Sequence, residues 1–223
     1  MGVKKTPSPE LRELMMEIAK LLNQIASDTP TPGGGSASAL AGALSASLCA
    51  MVAGLSLNRG KLKKHEARKI RNKCQLTQRK LYKAIEEDAE SYLGVMRAFG
   101  LPKTTESEVL HRRQMIQRAL KKATMVPQVV CEHALTLLEF SRILLLKGNP
   151  NAWSDAGVAA YLANAALDGA VLNIRINLES IRDGSFKKEM SGLIRRVLRG
   201  RNRLMTQITR ALARKSADSM TCS

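Results

Sequence analysis

Apolar side chains along the chain recur at helical spacing almost throughout. Leu11, Leu14, Ile18, Leu21 and Ile25 follow three- and four-residue steps after Ser8-Pro9-Glu10. A capping hydroxyl followed by Pro is a helix start, because the missing N–H of Pro costs nothing there. The pattern predicts a helix to about Ser27 with one buried face. Thr29-Pro30-Thr31-Pro32-Gly33-Gly34-Gly35 breaks it. The segment from Ser36 to Leu57 then carries no charge over 22 residues. In it Ser38, Gly42, Ala46, Ala50 and Gly54 form a stripe of small residues at steps of four, which lets two backbones approach closely. Its predicted partner is the other small-residue helix, Ala156 to Ala170 within a helix from Trp153 to about Ile181.

Between these two lie a basic stretch, Arg59 to Lys83, running on through Leu81, Ile85, Tyr92 and Phe99, and a segment from Thr105 to Lys147. The latter opens on the capping box Thr105-Glu106-Ser107-Glu108 and holds Pro127, where a kink or break is expected. Gly148-Asn149-Pro150-Asn151 reads as a stop and turn, and Asp183-Gly184 as another. A last helix begins near Ser185, with a tail after Ser216 expected to be disordered. With no segment worth defending as a strand, the expectation is an all-α, single-domain helical bundle of about six helices, two of them closely packed small-residue helices. Residues 1–190 form the helical domain, and 191–223 a basic helical extension and flexible tail.

Composition narrows this picture. Aromatics make up only 3% of the 223 residues, so the core is built from aliphatic side chains and Ala, which suits packed helices. Cys49, Cys74, Cys131 and Cys222 stand far apart with no C-x-x-C, and the three histidines form no H-x-x-x-H. Neither a metal site nor a disulfide framework is expected, and a reducing cytoplasm is. No signal peptide is expected at the N-terminus. The uncharged helix is long enough to span a membrane, yet its Ala, Ser and Gly gain little from lipid, so it is read as a core helix.

The net charge of +17 draws polyanions: nucleic acid, anionic membrane or an anionic small molecule. Arg59 to Lys83 holds eleven Lys/Arg and one Glu; Lys187 to Lys215 holds ten and one. Such runs are usually solvated faces. Three Phe, three Tyr and one Trp in the whole chain argue against base stacking, so nucleic acid remains open as a partner but is not favoured.

Candidate chemistry centres on Asp88. Leu81, Ile85, Asp88, Tyr92, Val95 and Phe99 share one stripe, so this carboxylate sits among apolar positions while Glu86, Glu87 and Glu90 point elsewhere. Desolvation raises the pKa of such an acid, which suits it to acid/base work; a structural Asp paired with a neighbouring helix fits the pattern too. Gly33-Gly34-Gly35-Ser36 leads into a helix N-terminus, where free N–H groups favour an anion, although a tight turn alone would use the same residues. Asn173 and Asn177, four apart, share a face, with Arg175 between them. Asp155 complements the first turn of its helix. It lies about 27 Å along the axis from Asn173, too far for both to grip one small group within a single chain.

Taken in order, Thr31-Pro32-Gly33-Gly34-Gly35-Ser36, Asp88-Ala89-Glu90, Leu101-Pro102-Lys103, Gly148-Asn149-Pro150-Asn151 with Ser154-Asp155-Ala156-Gly157, and Asn173-Ile174-Arg175-Ile176-Asn177 resemble a known family. It comprises the cyclodeaminase domain of formiminotransferase-cyclodeaminase and the stand-alone methenyltetrahydrofolate cyclohydrolases. The resemblance covers roughly residues 8 to 190. It implies an all-helical fold, a homodimer or higher homo-oligomer, and a site near the subunit interface. It also implies Asp88 as the catalytic carboxylate, and a tetrahydrofolate derivative as substrate with no metal or redox cofactor. Gly33, Gly34, Gly35, Ser36, Asp155, Asn173, Arg175 and Asn177 are the candidate substrate contacts. Ser91-Tyr92 departs from the family's usual Ala-Phe, and the run from Lys187 to Lys215 is more basic than the family suggests. The missing formiminotransferase domain tilts the expectation toward the hydrolase. The alternatives are the cyclodeaminase reaction and a non-catalytic basic module binding nucleic acid or an acidic partner.

Overall fold

The computed structural model describes residues 8–221, with side chains to residue 217; Cys222 lies outside the described residues. Six α-helices and one short 3-10 turn account for nearly all of them, with no strand among the described residues. They are α1 (Pro9–Ile25), α2 (Gly34–Leu55), α3 (Lys64–Phe99), α4 (Glu106–Lys147), the turn Pro150–Ala152, α5 (Trp153–Ser180) and α6 (Gly184–Thr221).

The boundaries follow local chemistry. Ser8 Oγ accepts from Leu11 N at 3.3 Å and caps α1. Thr105 and Glu108 form the expected reciprocal box at the start of α4, Glu108 N donating to Thr105 Oγ1 at 3.2 Å and Thr105 N to Glu108 Oε2 at 2.9 Å. Asp183 Oδ1 accepts from Phe186 N at 3.0 Å and starts α6, while its other oxygen takes the Lys121 ammonium of α4.

α2 is the axle of the bundle. It runs antiparallel to α5, with which it is in close contact all along the small-residue stripe: Gly42 faces Ala166, and Ser45 Oγ donates to Ala159 O at 2.7 Å. At Gly169 an added Cβ would stand 2.2 Å from Ser38 Oγ. α2 is also antiparallel to α3, where Leu81 fills the space over Gly42, and parallel to α4, where Cys49 meets Ser141 at 3.2 Å. α6 packs on α4 and α5 through buried Met190, Leu193, Val197, Leu204 and Ile208. Both α2 and α5 are long and apolar enough to cross a membrane, yet half of each apolar window is buried inside the bundle. The buried Ser36, Ser38 and Ser45 hydroxyls of α2 bond to neighbouring groups within the fold.

Three expectations fail. α1 has the predicted amphipathic pattern but buries none of its residues; Leu11, Leu14 and Ile18 remain 45–56% exposed. α4 continues unbroken through buried Pro127 for 42 residues. α6 continues through Thr221, past Ser216, where a disordered tail was expected.

Candidate active site

The N-terminus of α2 ends between α3 and α5, and this is where the polar candidates converge. Gly33 is extended and Gly34 opens the helix, so the first free N–H groups of α2 face the gap. Gly35 is buried against α3: a Cβ there would lie 2.1 Å from Asp88 Oδ1 and 2.5 Å from Asp88 Cγ. The carboxylate therefore occupies the volume that any other residue at 35 would fill. Ser36, fully buried, donates its hydroxyl to Asp88 Oδ2 at 3.0 Å and lies equally close to Ile85 O.

Asp88 is half-buried and carries no ion pair among the described residues. Burial pushes its pKa above the ordinary carboxylate value, opposed by hydrogen bonds from the side chain and backbone of Ser36. Those donors and the positive end of the α2 dipole favour the anion; the apolar surroundings favour the acid. A group so balanced can take up a proton and return it.

On the other side of the α2 N-terminus stands Asn173, its amide nitrogen 3.9 Å from where a Cβ on Gly34 would sit. It donates to Gly169 O at 2.8 Å, and its carbonyl oxygen has no hydrogen-bond partner among the described residues. Ser38 Oγ bonds Gly34 O at 2.7 Å and, packed against Gly169, ties the glycine turn to α5. Asn177 is one turn further along the same face, half-buried. Thr31 Oγ1, just before the glycines, is buried with no hydrogen-bond partner among the described residues.

The remaining candidates fall elsewhere. Arg175 is exposed on another face of α5, in a groove with Lys187 and Arg195 of α6. Asp155 sits at the opposite end of the antiparallel α2/α5 pair, so one chain does not gather it with Asp88. Beside it the Gly148–Asn151 motif is structural: Asn149 N donates to Ser56 Oγ at 2.8 Å and Asn149 Nδ2 to Leu55 O at 3.1 Å, closing the C-terminus of α2.

Beyond the α2 N-terminus, α3 and α5 continue outward with α4 between them. Their ends enclose a cavity of about 670 Å³, lined in part by Arg112, Arg113, Gln117, Arg182 and Lys187. None of these is among the candidate contacts read from the sequence, because the cations come from three separate segments. Counting helical rise, Phe99 in its wall is about 16 Å past Asp88 along α3.

Comparison with known proteins places this arrangement. A family model described as formiminotransferase-cyclodeaminase matches residues 17–196. The methenyltetrahydrofolate cyclohydrolase of Methylorubrum extorquens is 39% identical over 183 residues, covering 79% of this chain and 88% of that protein. The formimidoyltransferase-cyclodeaminase of Gallus gallus is 32% identical over 169 residues, covering 75% of this chain; the chain spans 31% of that longer protein. The crystal structure of formiminotetrahydrofolate cyclodeaminase from Thermotoga maritima superposes with a TM-score of 0.79 at 27% identity, covering 88% of this chain and 95% of the other.

Proposed function

The chain belongs to the formiminotransferase-cyclodeaminase family, and on that premise we propose that it hydrolyses 5,10-methenyltetrahydrofolate to 10-formyltetrahydrofolate. The observation that carries the mechanism is Asp88: a half-buried carboxylate without a cationic partner among the described residues, held by Ser36 at a helix N-terminus and given its space by Gly35. The substrate carries a delocalised positive charge on the carbon that bridges two folate nitrogens. It supplies the counter-charge the site lacks.

Asp88 takes a proton from water as the water's oxygen bonds to the bridging carbon, giving a neutral tetrahedral adduct. The bond from that carbon to one ring nitrogen then breaks. Asp88 returns a proton to the departing nitrogen, and the hydroxyl proton of the adduct leaves to solvent as the formyl C=O forms. One water is consumed and one proton released. The reaction as written draws on no metal or redox cofactor. The free Asn173 carbonyl, Thr31 Oγ1 and the first N–H groups of α2 suit the polar edge of the substrate. Arg112, Arg113, Arg182 and Lys187 at the same end suit the carboxylates of its glutamate tail.

Two further points belong to this reading. The protein works in the cytoplasm, where folate one-carbon units are handled. It works as a homodimer or higher homo-oligomer, supported by the apolar faces that α1, α2 and α5 leave exposed.

A second reading is favoured by the Thermotoga maritima neighbour: ring closure of 5-formiminotetrahydrofolate with loss of ammonia, the same carboxylate assisting the departing amine. Absorbance separates the two. The methenyl band decays for hydrolysis and grows for cyclodeamination. The expected result is decay with the methenyl substrate, reduced about 10²–10⁴-fold in Asp88→Asn, the range for loss of a general acid–base group. No change in either band, or an Asp88→Asn protein as fast as wild type, would overturn the enzyme reading.

A further inference from the structure

The long last helix carries a feature that the hydrolase chemistry does not use. Lys188, Arg195, Arg196, Arg199, Arg203, Arg210 and Arg214 are all exposed. At 3.6 residues per turn they fall within an arc of about 100°, and the 26 helical steps from Lys188 to Arg214 make a row about 39 Å long. Glu189, at the edge of the arc, is the only acid on α6 among the residues whose side chains are described.

A merely solvated face has no reason to be built this way. Arg195/Arg199, Arg199/Arg203 and Arg210/Arg214 are like-charge pairs at i,i+4, each unfavourable by about 0.2–0.5 kcal/mol, where alternating Glu would have been favourable. The ion pair α6 does make uses Arg201, which turns inward to Asp168 of α5; none of the seven outer cations holds one among the described residues. The helix cannot swing away, because Met190, Leu193, Val197, Leu204 and Ile208 on its other face are buried in the bundle.

From this geometry we infer that the outer face of α6 binds the phosphate backbone of nucleic acid, without regard to base sequence. A rigid row of cations complements a linear polyanion, and its length matches about one turn of duplex, 34–36 Å. No aromatic side chain lies in the row, so base stacking contributes nothing and sequence is not read. A lipid surface fits less well. Helices that bind membrane interfaces bury an apolar face among the acyl chains, and here that face is consumed by the core.

The test is a titration of the full-length protein against labelled duplexes of about 24 base pairs, in two unrelated sequences, by fluorescence anisotropy across a KCl series. Seven neutralised phosphates would give a slope of log K against log[salt] of about −6, and partial engagement one between about −3 and −6. The two sequences should bind within about threefold of each other. R199Q/R203Q/R210Q should lose at least tenfold in affinity at about 0.1 M salt and flatten the slope by about two to three. R68Q/R71Q/R79Q on α3 removes the same charge elsewhere and should change affinity by less than about threefold. Absence of binding at low salt, or equal losses in the two triple variants, would overturn the assignment. So would capture by phosphatidylserine vesicles that the duplex does not compete away. Methenyl-decay activity is read in parallel, so loss of DNA binding in R199Q/R203Q/R210Q with intact turnover separates this surface from the catalytic reading.

Discussion

At the scale of single residues, the proposal turns on how Asp88 divides its time between charged and neutral forms. Its folded pKa is raised by burial, so the native state holds this proton more tightly than the unfolded chain does. The stabilising contribution is therefore complete at pH values below the ordinary carboxylate pKa and is lost as pH rises through the raised value. Asp88→Asn, which keeps the shape and discards the charge, should melt no lower than wild type at pH 7 by circular dichroism while losing catalysis; a large drop in Tm would assign Asp88 a structural role instead. Ser36 acts in the opposite direction by donating to the carboxylate. Ser36→Ala should raise the Asp88 pKa further, and the acidic limb of the kcat/KM profile should move to higher pH. An unmoved limb would mean that another group is the base. Asp88 was legible in the sequence because a lone carboxylate interrupting an apolar three-four pattern is visible locally. Its bond to Ser36 was not, since the two are separated by 52 residues and meet only through helix packing. The resemblance also put Arg175 and Asp155 among the candidate contacts, although the first lies on a different face of α5 and the second at its far end.

Among the elements, the α2/α5 pair and its glycines decide whether the site exists. Gly35 and Gly169 make separable predictions. A methyl at Gly35 would strike the Asp88 carboxylate, the far end of a side chain that can rotate away toward the gap. Gly35→Ala should therefore cost most of the activity and little of the stability. At Gly169 the methyl would strike Ser38 Oγ inside the packed seam. Gly169→Ala should cost about 1–3 kcal/mol by overpacking, seen in thermal melts at about 2–4 °C per kcal/mol for a chain this size. If both variants lose activity and stability in proportion, the glycine turn is a packing device and no more. Helix ends, caps and the small-residue pairing could be read from sequence because each depends on residues within a turn or two, or on the rarity of a second small-residue helix. Burial could not be. The stripe on α1 correctly announced a helix, yet periodicity reports an apolar face and is silent about what covers it. Pro127 misled as to a break for a related reason: local chemistry disfavours a proline inside a helix, whereas here the helix runs on through a proline buried among packed neighbours.

For the molecule as a whole, the unanswered surface is apolar. On α2, Leu44, Met51 and Leu55 fall on the side away from the small-residue seam and are 43–49% exposed. On α5, Val158, Tyr161, Leu172 and Ile176 share one stripe at 50–63% exposure, and α1 contributes Leu11, Leu14 and Ile18. Single exposed leucines are ordinary, but stripes on neighbouring helices are a face that water disfavours. A second copy of the chain supplies a matching stripe through a two-fold axis, since an isologous contact brings the same patch to both sides. Leu172 precedes Asn173 and Ile176 precedes Asn177, so a contact made there would close over the polar side of the Asp88 pocket. It would exclude water from the bridging carbon apart from the one that reacts. Light scattering on the purified protein should thus give twice the 24.4 kDa chain mass. Leu172→Asp with Ile176→Asp should yield a helical monomer whose kcat/KM falls at least tenfold, a loss of about 1.4 kcal/mol in transition-state stabilisation. A monomeric double variant with full turnover would separate the interface from the chemistry, and would leave Asp88 to work in a pocket that one chain completes alone.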